Sequence, residues 1–147
     1  VNIRLRAGPA RVPTVTDMST AAAHVVDRFI AAVEAKDFDT IAALLADDIS
    51  YENMPIDPVV GREAVLAVMH GFLDASSEID WPVSRTLAGE GVVMNERLDR
   101  FRIGSGWLEL PVAGVFEVDA DGRITRWRDY FDMGAYMRQL GELTTSS

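Results

Sequence analysis

The sequence predicts an α+β fold in which N-terminal helices pack on one side of a strongly curved, mainly antiparallel mixed sheet. Three observations predict it. Up to about Ala75 the apolar residues recur at helical spacing. After Ser77 the pattern changes to a period of two, the signature of strands. The strand-like runs are separated by "GEG", "GSG" and "DADG", short turn sequences at hairpin spacing.

The elements follow in order. "VNIRLRAGPARVP" is basic and lacks the apolar stretch of a secretory signal, so residues 1–18 read as a flexible basic leader. Ser19 or Thr20 offers a polar start for a first helix over Ala21 to Ala35, with Val25, Val26, Phe29, Ile30 and Val33 on its apolar stripe. Asp39 can cap a short second helix, "TIAALLA". "DISYENMP" is a strand closed by Pro55, and "IDPVVG" a loop. From Gly61, "REAVLAVMHGFLDA" aligns Val65, Val68, Met69, Phe72 and Leu73 on a third helix. Four strand-like runs then follow, "EIDWPVSRTLA", "VVMNERLDRFRI", "GWLELPVAGVFEV" and "RITRWRDYFDM", and a short helix "GAYMRQL". Residues 19–143 form a single domain, with 144–147 as a tail.

The composition bounds the function. A chain of 147 residues is about one domain, and a domain of that size buries roughly 70% of the surface its unfolded chain exposes. The net charge is -9, and the first thirteen residues carry three arginines and no acids. The body that remains is more acidic still and would repel phosphate backbones, which argues against nucleic acid as a partner. There are no cysteines, which removes disulfides, thiol nucleophiles and Cys-based metal sites and fits a cytoplasmic location. No apolar run approaches the roughly 20 residues of a membrane span.

Strand parity locates the chemistry. In "GWLELPVAGVFEV", Leu108, Leu110, Val112, Gly114, Phe116 and Val118 share one apolar face, which fixes the inside of the sheet. In "RITRWRDYFDM" the bulky pair Trp127 and Phe131 carries Asp129 inward with it. In "VVMNERLDRFRI", Phe101 and Ile103 carry Arg97 and Asp99 inward, leaving Glu96, Arg100 and Arg102 outside. Ile49, Tyr51 and Asn53 share a candidate inward face on "ISYENMP".

A lone carboxylate in a dry interior costs several kcal/mol, so each must be paired or neutralised. Arg97, Asp99 and Asp129 offer one cation to two anions. The surplus charge is relieved if one carboxyl keeps its proton well above the solution value of about 3.9. One carboxylic acid beside one carboxylate is what simultaneous general-acid and general-base chemistry requires. Tyr51 and Asn53 add donors and an acceptor able to hold a water. The same residues also fit a blander reading, since an Arg and an Asp two apart on a mixed strand can be a solvated or structural pair. His24 and His70 lack partners at ligand spacing and read as packing or surface residues, and Glu34, Asp37 and Asp39 as helix-end and turn acids.

Taken together, "YENMP", "ERLDRF", "GVFEV" and "WRDYFD", in this order and spacing, resemble the limonene-1,2-epoxide hydrolase family. That family lies within the wider cone-shaped fold of nuclear transport factor 2, ketosteroid isomerases and SnoaL-like proteins. The likeness covers about residues 20 to 140. The resemblance implies a cone-shaped barrel and an Asp-Arg-Asp triad of Asp99, Arg97 and Asp129. It further implies a nucleophilic water held by Tyr51, Asn53 and Asp129, with Asp129 as base and Asp99 as acid; parity alone allows either order. Glu52 lies on the opposite face and should not touch the water.

The function expected on this basis is hydrolysis of a lipophilic epoxide to a vicinal diol in one concerted step, with no cofactor and no metal. Met69, Phe101, Leu110, Val112, Trp127 and Phe131 are the candidate substrate-binding wall, suited to terpenoid, fatty-acyl or steroid epoxides. Two rivals remain open: an isomerase or cyclase of the same fold, in which one carboxylate shuttles a proton beside a carbonyl, and a non-catalytic ligand-binding or docking module. Neither a nucleophile elbow nor a doubly wound pattern is present, so a covalent α/β-hydrolase mechanism does not fit. Apolar Met94 and Leu98 on the outer sheet face, together with the resemblance, imply a homodimer.

Overall fold

A computed structural model describes residues 15–145, with side chains from residue 19 onward. The elements run α1 (Val15–Glu34), α2 (Phe38–Leu44), β1 (Leu45–Met54), β2 (Val59–Val60), α3 (Arg62–Leu73), β3 (Glu78–Asp80), β4 (Val83–Gly89), β5 (Val92–Ile103), β6 (Gly106–Val118), β7 (Ile124–Tyr130) and α4 (Met133–Thr145). The helices form because their apolar residues repeat on one face. Ala22, Val26, Phe29, Ile30 and Val33 bury one stripe of α1, and Val65, Met69 and Leu73 one stripe of α3.

The strands make one sheet in the order β2-β1-β7-β6-β5-β3, with β4 also paired to β5. β1 and β7 run parallel and the other pairs antiparallel. Its long centre is the β5–β6 hairpin, in register from Val92↔Glu117 to Ile103↔Gly106. The sheet is an open cone, not a closed barrel, since β2 and β3 end the order without pairing to each other. Its inner face meets the helices, where Phe29 packs edge-on against both Phe116 and Trp127 at 5.9 and 5.0 Å. No helix among the described residues is long and apolar enough to cross a membrane.

Several boundaries differ from the sequence reading. α1 begins at Val15, so Ser19 and Thr20 lie inside the helix instead of starting it, and only residues 1–14 of the expected leader fall outside the described residues. Ser and Thr are mid-range helix formers, so one more turn upstream is not resisted. Asp37, not Asp39, caps α2: its Oδ1 accepts from the Thr40 amide at 3.1 Å and its Oδ2 from the Thr40 hydroxyl at 2.6 Å. Asp39 instead occupies the first turn, where a negative charge suits the helix dipole. "IDPVVG" contains β2, which pairs Val59 and Val60 with Tyr51 and Ser50. "EIDWPVSRTLA" divides into β3 and β4 around Trp81 and Pro82, because a proline has no amide hydrogen for the ladder. α4 is longer than "GAYMRQL" and runs into the expected tail as far as Thr145. Asp132 starts it, accepting from the Ala135 amide at 2.9 Å.

Candidate active site

Four neighbouring strands bring the inward polar residues into two adjacent rows. One row crosses the sheet as Asn53, Asp129, Gly114 and Asn95, and the next as Tyr51, Trp127, Phe116 and Val93. Arg97 and Asp99 extend from β5 beside the first row, opposite Val112 and Leu110. The inward parity of Tyr51, Arg97, Asp99 and Asp129 is as the sequence predicted, and all four are buried. Asn53 is half-buried.

The guanidinium of Arg97 joins both aspartates. Its Nε donates to Asp99 Oδ1 at 2.7 Å and its Nη2 to Asp99 Oδ2 at 3.1 Å, while Nη2 also donates to Asp129 Oδ2 at 2.7 Å. The side chains are 0% exposed for Arg97 and 5% for each aspartate. The second oxygen of Asp129 accepts from Trp127 Nε1 at 2.8 Å. Tyr51 donates its hydroxyl to Asn53 Oδ1 at 2.9 Å. Trp81 covers the guanidinium from one side, its ring centre 4.9 Å from Cζ, a cation–π contact in a desolvated setting.

Burial and charge together set the protonation. Burial pushes the Asp99 carboxyl up to about 7, opposed by the attraction of Arg97 and reinforced by repulsion from Asp129. Burial also holds the Tyr51 hydroxyl well above its ordinary value, with the Asp129 charge acting in the same sense. Tyr51 is therefore a neutral hydrogen-bonding group near neutral pH. Among the described residues no cluster of three or more His, Cys, Asp or Glu could hold a metal ion.

A cavity of about 300 Å³ opens over this cluster. Tyr51, Asn53, Asp99 and Asp129 form its polar floor, and Phe101, Leu108, Leu110 and Val112 an apolar wall. Ile56, Phe72, Trp81 and Ile103, with Phe131 just after β7 and Met133, Tyr136 and Met137 of α4, complete the lining. Of the six wall residues read from the sequence, Phe101, Leu110, Val112 and Phe131 line this space. Met69 and Trp127 do not: both are fully buried in the core. Met69 is sealed beneath α3, and the Trp127 ring is stacked on Tyr51 at 3.9 Å, so it serves the site through its N–H and not as wall.

The sequence reading also passed over residues that the fold gathers here. Asn95 accepts from Arg97 Nη1 at 3.0 Å, and its parity, shared with Arg97 and Asp99, could have marked it. Trp81, Leu108, Ile103 and the α4 residues join the lining as well. Leu108 and Ile103 lay on inward faces already identified, whereas no local pattern places Trp81 or α4 over the cavity.

The family described as limonene-1,2-epoxide hydrolase catalytic domain matches residues 20–141. Epoxide hydrolase EphG of Mycobacterium tuberculosis (strain ATCC 25618 / H37Rv) is 38% identical over 108 residues, which span 74% of this chain and 71% of that protein. A solved structure of an LEH-like epoxide hydrolase from Mycobacterium tuberculosis matches with a TM-score of 0.73 at 35% identity, covering 88% of this chain and 98% of its own. A SnoaL-like protein of Shewanella denitrificans OS-217 reaches a TM-score of 0.70 at 15% identity, covering 82% of this chain and 97% of its own, which shows a shared fold.

Proposed function

The chain belongs to the limonene-1,2-epoxide hydrolase family, and from that membership we propose that it adds water to a lipophilic epoxide, giving a vicinal diol in one concerted step. The observation that carries this reading is a single guanidinium bonded to two buried carboxyls at the floor of an apolar cavity. One of those carboxyls, Asp99, is held up to about 7 and retains a proton where the chemistry needs one.

In this reading a water sits among Tyr51, Asn53 and Asp129. Asp129 takes one of its protons as the water oxygen attacks an epoxide carbon. The carbon–oxygen bond of the ring breaks, and Asp99 gives its proton to the departing oxygen. Turnover leaves the proton on Asp129, and its transfer back to Asp99 resets the pair. Arg97 holds the two acids at fixed separation and offsets the charge that moves between them. Trp127 Nε1 and Arg97 Nη2 each occupy one oxygen of Asp129, which orients the carboxylate and leaves a free lone pair for the water. Relief of ring strain lowers the barrier, and fixed near-attack geometry supplies several kcal/mol more. Every proton in this step comes from water or from the chain's own side chains.

The apolar wall selects lipophilic bodies. The exposed Ile56 and Met137 edge the lining, so the longer chain of a fatty-acyl or steroid epoxide would continue past them, while a terpenoid fits within. An isomerase would need one base and an oxyanion donor, and would leave the Arg-bridged second acid without a task. A homodimer through the outer sheet face belongs to the same proposal: Leu87 and Met94 are paired across β4 and β5, are 73% and 50% exposed, and lie near the Leu98–Pro111 pair. A cytoplasmic site of action rests on the cysteine-free sequence.

The test is a panel of terpenoid, fatty-acyl and steroid epoxides incubated in water labelled with heavy oxygen and read by mass spectrometry. One labelled oxygen in a diol product is expected. An unlabelled isomer, or binding without product across the panel, overturns the reading.

A further inference from the structure

Arginine carries five N–H donors in a rigid planar fork, and the way that fork is rolled decides which acceptors it can serve. In Arg97 the Nε and Nη2 edge faces the two carboxyls, and the Nη1 end is turned to the carbonyl oxygen of Asn95 at 3.0 Å. Asn95 is 5% exposed and uncharged. It stands directly opposite Gly114 of β6, which in turn stands directly opposite Asp129 of β7.

Gly114 is as informative as Asn95. A Cβ at that position would collide with Arg97 Nη1, and would fall 2.8 Å from Asn95 Oδ1 and 3.0 Å from the Phe116 ring. Gly114 lies inside a thirteen-residue strand, where a glycine weakens the strand and packs nothing. Its missing side chain is the slot that the guanidinium end occupies.

We propose that Asn95 and Gly114 are positioning residues for the hydrolysis described above: Gly114 opens the slot, and Asn95 pins Arg97 Nη1 within it. The fork then gives two bonds to Asp99 and one to Asp129, and the two acids are held in unequal environments. Without the Asn95 oxygen the fork is free to roll and offer Nη1 and Nη2 together to Asp129, which erases the inequality. A neutral acceptor is required, because a carboxylate at position 95 would place a third anion on one buried cation. The titratable and charged groups facing Asp99 are Arg97 on its own strand, Asp129 from β7, Tyr51 from β1 and, further out on the cavity lining, Tyr136 from α4.

This inference rests on the epoxide hydrolase reading for its kinetics, so the experiment has one arm that does not. In the kinetic arm, Asn95→Ala and Gly114→Ala are expected to lower kcat by about 10- to 100-fold with KM within threefold, less than the loss of an acid–base group itself, since they act through Arg97. Asn95→Asp, the same size as the native residue, keeps an acceptor for Nη1. It is expected to move the high-pH limb of kcat/KM upward by at least one pH unit. In the second arm, carbon-13 NMR of the aspartate carboxyls follows their titration in the free protein, with the same upward displacement expected for Asn95→Asp. A residue that only supports the fold would, in Asn95→Ala, lower the melting temperature and leave kcat and the carboxyl titrations in place. Folded Asn95→Ala with unchanged kcat and an unchanged carboxyl titration overturns the proposal. If the native protein turns over no epoxide, the functional reading fails while the NMR arm still decides the role of Asn95.

Discussion

Two of the arginines of strand β5, Arg97 and Arg100, lie three residues apart and therefore on opposite faces, and each is bonded to two carboxylates. Arg97 joins Asp99 and Asp129 at 2.7 Å each inside the cone. Arg100 joins Asp80 and Glu109 at 2.6 and 2.9 Å outside it, with its guanidinium 4.4 Å over the Trp107 ring. The contacts are almost the same. The media are not: the inner side chains are 0 to 5% exposed, the outer ones 29 to 49%. Outside, water and salt screen the charges. Inside, the surplus charge cannot be solvated, and burial drives Asp99 up to about 7. An Arg with two acids is a solvated ion pair in one place and, in the function proposed above, an acid–base pair in the other, and exposure is what separates the two.

The sharpest way to break this comparison is to remove one inner carboxyl. Asp99→Asn and Asp129→Asn should each lower kcat on a turned-over epoxide by on the order of 10³-fold or more. Far-UV circular dichroism checks that the variants are folded. Substantial turnover by either one contradicts the acid and base assigned above.

Next in size is a stability effect of opposite sign for single and triple replacement. Arg97→Met strands two buried carboxyls without their cation and should cost about 3–5 kcal/mol in denaturant unfolding. Replacing all three residues, with Arg97→Met, Asp99→Leu and Asp129→Leu, removes every buried charge. It should return stability to the native level or above while abolishing activity. A triple variant no more stable than the single one would mean that the inner triad is held for the fold and not for chemistry.

A third prediction concerns pH. The Asp99 carboxyl titrates at about 7 in the folded chain against an ordinary value of 3.8. The folded state therefore binds more protons than the unfolded state between these values. The contribution of Asp99 to stability is fully present below 3.8 and is lost as pH rises through about 7. On the proposal that Asp99 gives its proton to the epoxide oxygen, kcat/KM should fall tenfold per unit above that point. A profile flat from pH 6 to 9 would detach Asp99 from the acid role.

Much of the inner cluster was legible because a strand has an exact period of two. Asp129 between Trp127 and Phe131, and Arg97 and Asp99 beside Phe101, could only face inward if their apolar neighbours did. Charge made them conspicuous, since a buried charge demands an explanation. Asn95 shares that parity but is neutral, so no energetic argument singled it out. Periodicity tells which residues face the core, not which part of the core is left hollow, and this is why Met69 and Trp127 were misplaced in the cavity wall. The helical pattern of α4 was visible, but its position across the cavity was not. That position depends on distant partners: the Gln139 amide bonds the backbone of Glu109 at both N and O, at 2.9 Å each, and Leu143 fills the space over Gly106. Such contacts join residues some thirty or more apart and leave no local trace.

The smallest expected effect is also the control that gives the comparison its meaning. Asp80→Asn removes one acid from the outer arginine, as Asp99→Asn does from the inner one, and leaves Arg100 its bond to Glu109 and its contact with Trp107. The ion pair lost is exposed, and water takes the place of the missing carboxylate. Activity should stay within twofold of the native protein, the pH limb should not move, and the melting temperature should change little at moderate salt. Side by side, the two Asp→Asn changes differ in the burial of the arginine they disturb and hardly at all in contact geometry. If Asp80→Asn were to impair turnover as Asp99→Asn does, burial would not be the variable that separates the two faces of β5, and the inner cluster would lose the physical basis of its assigned role.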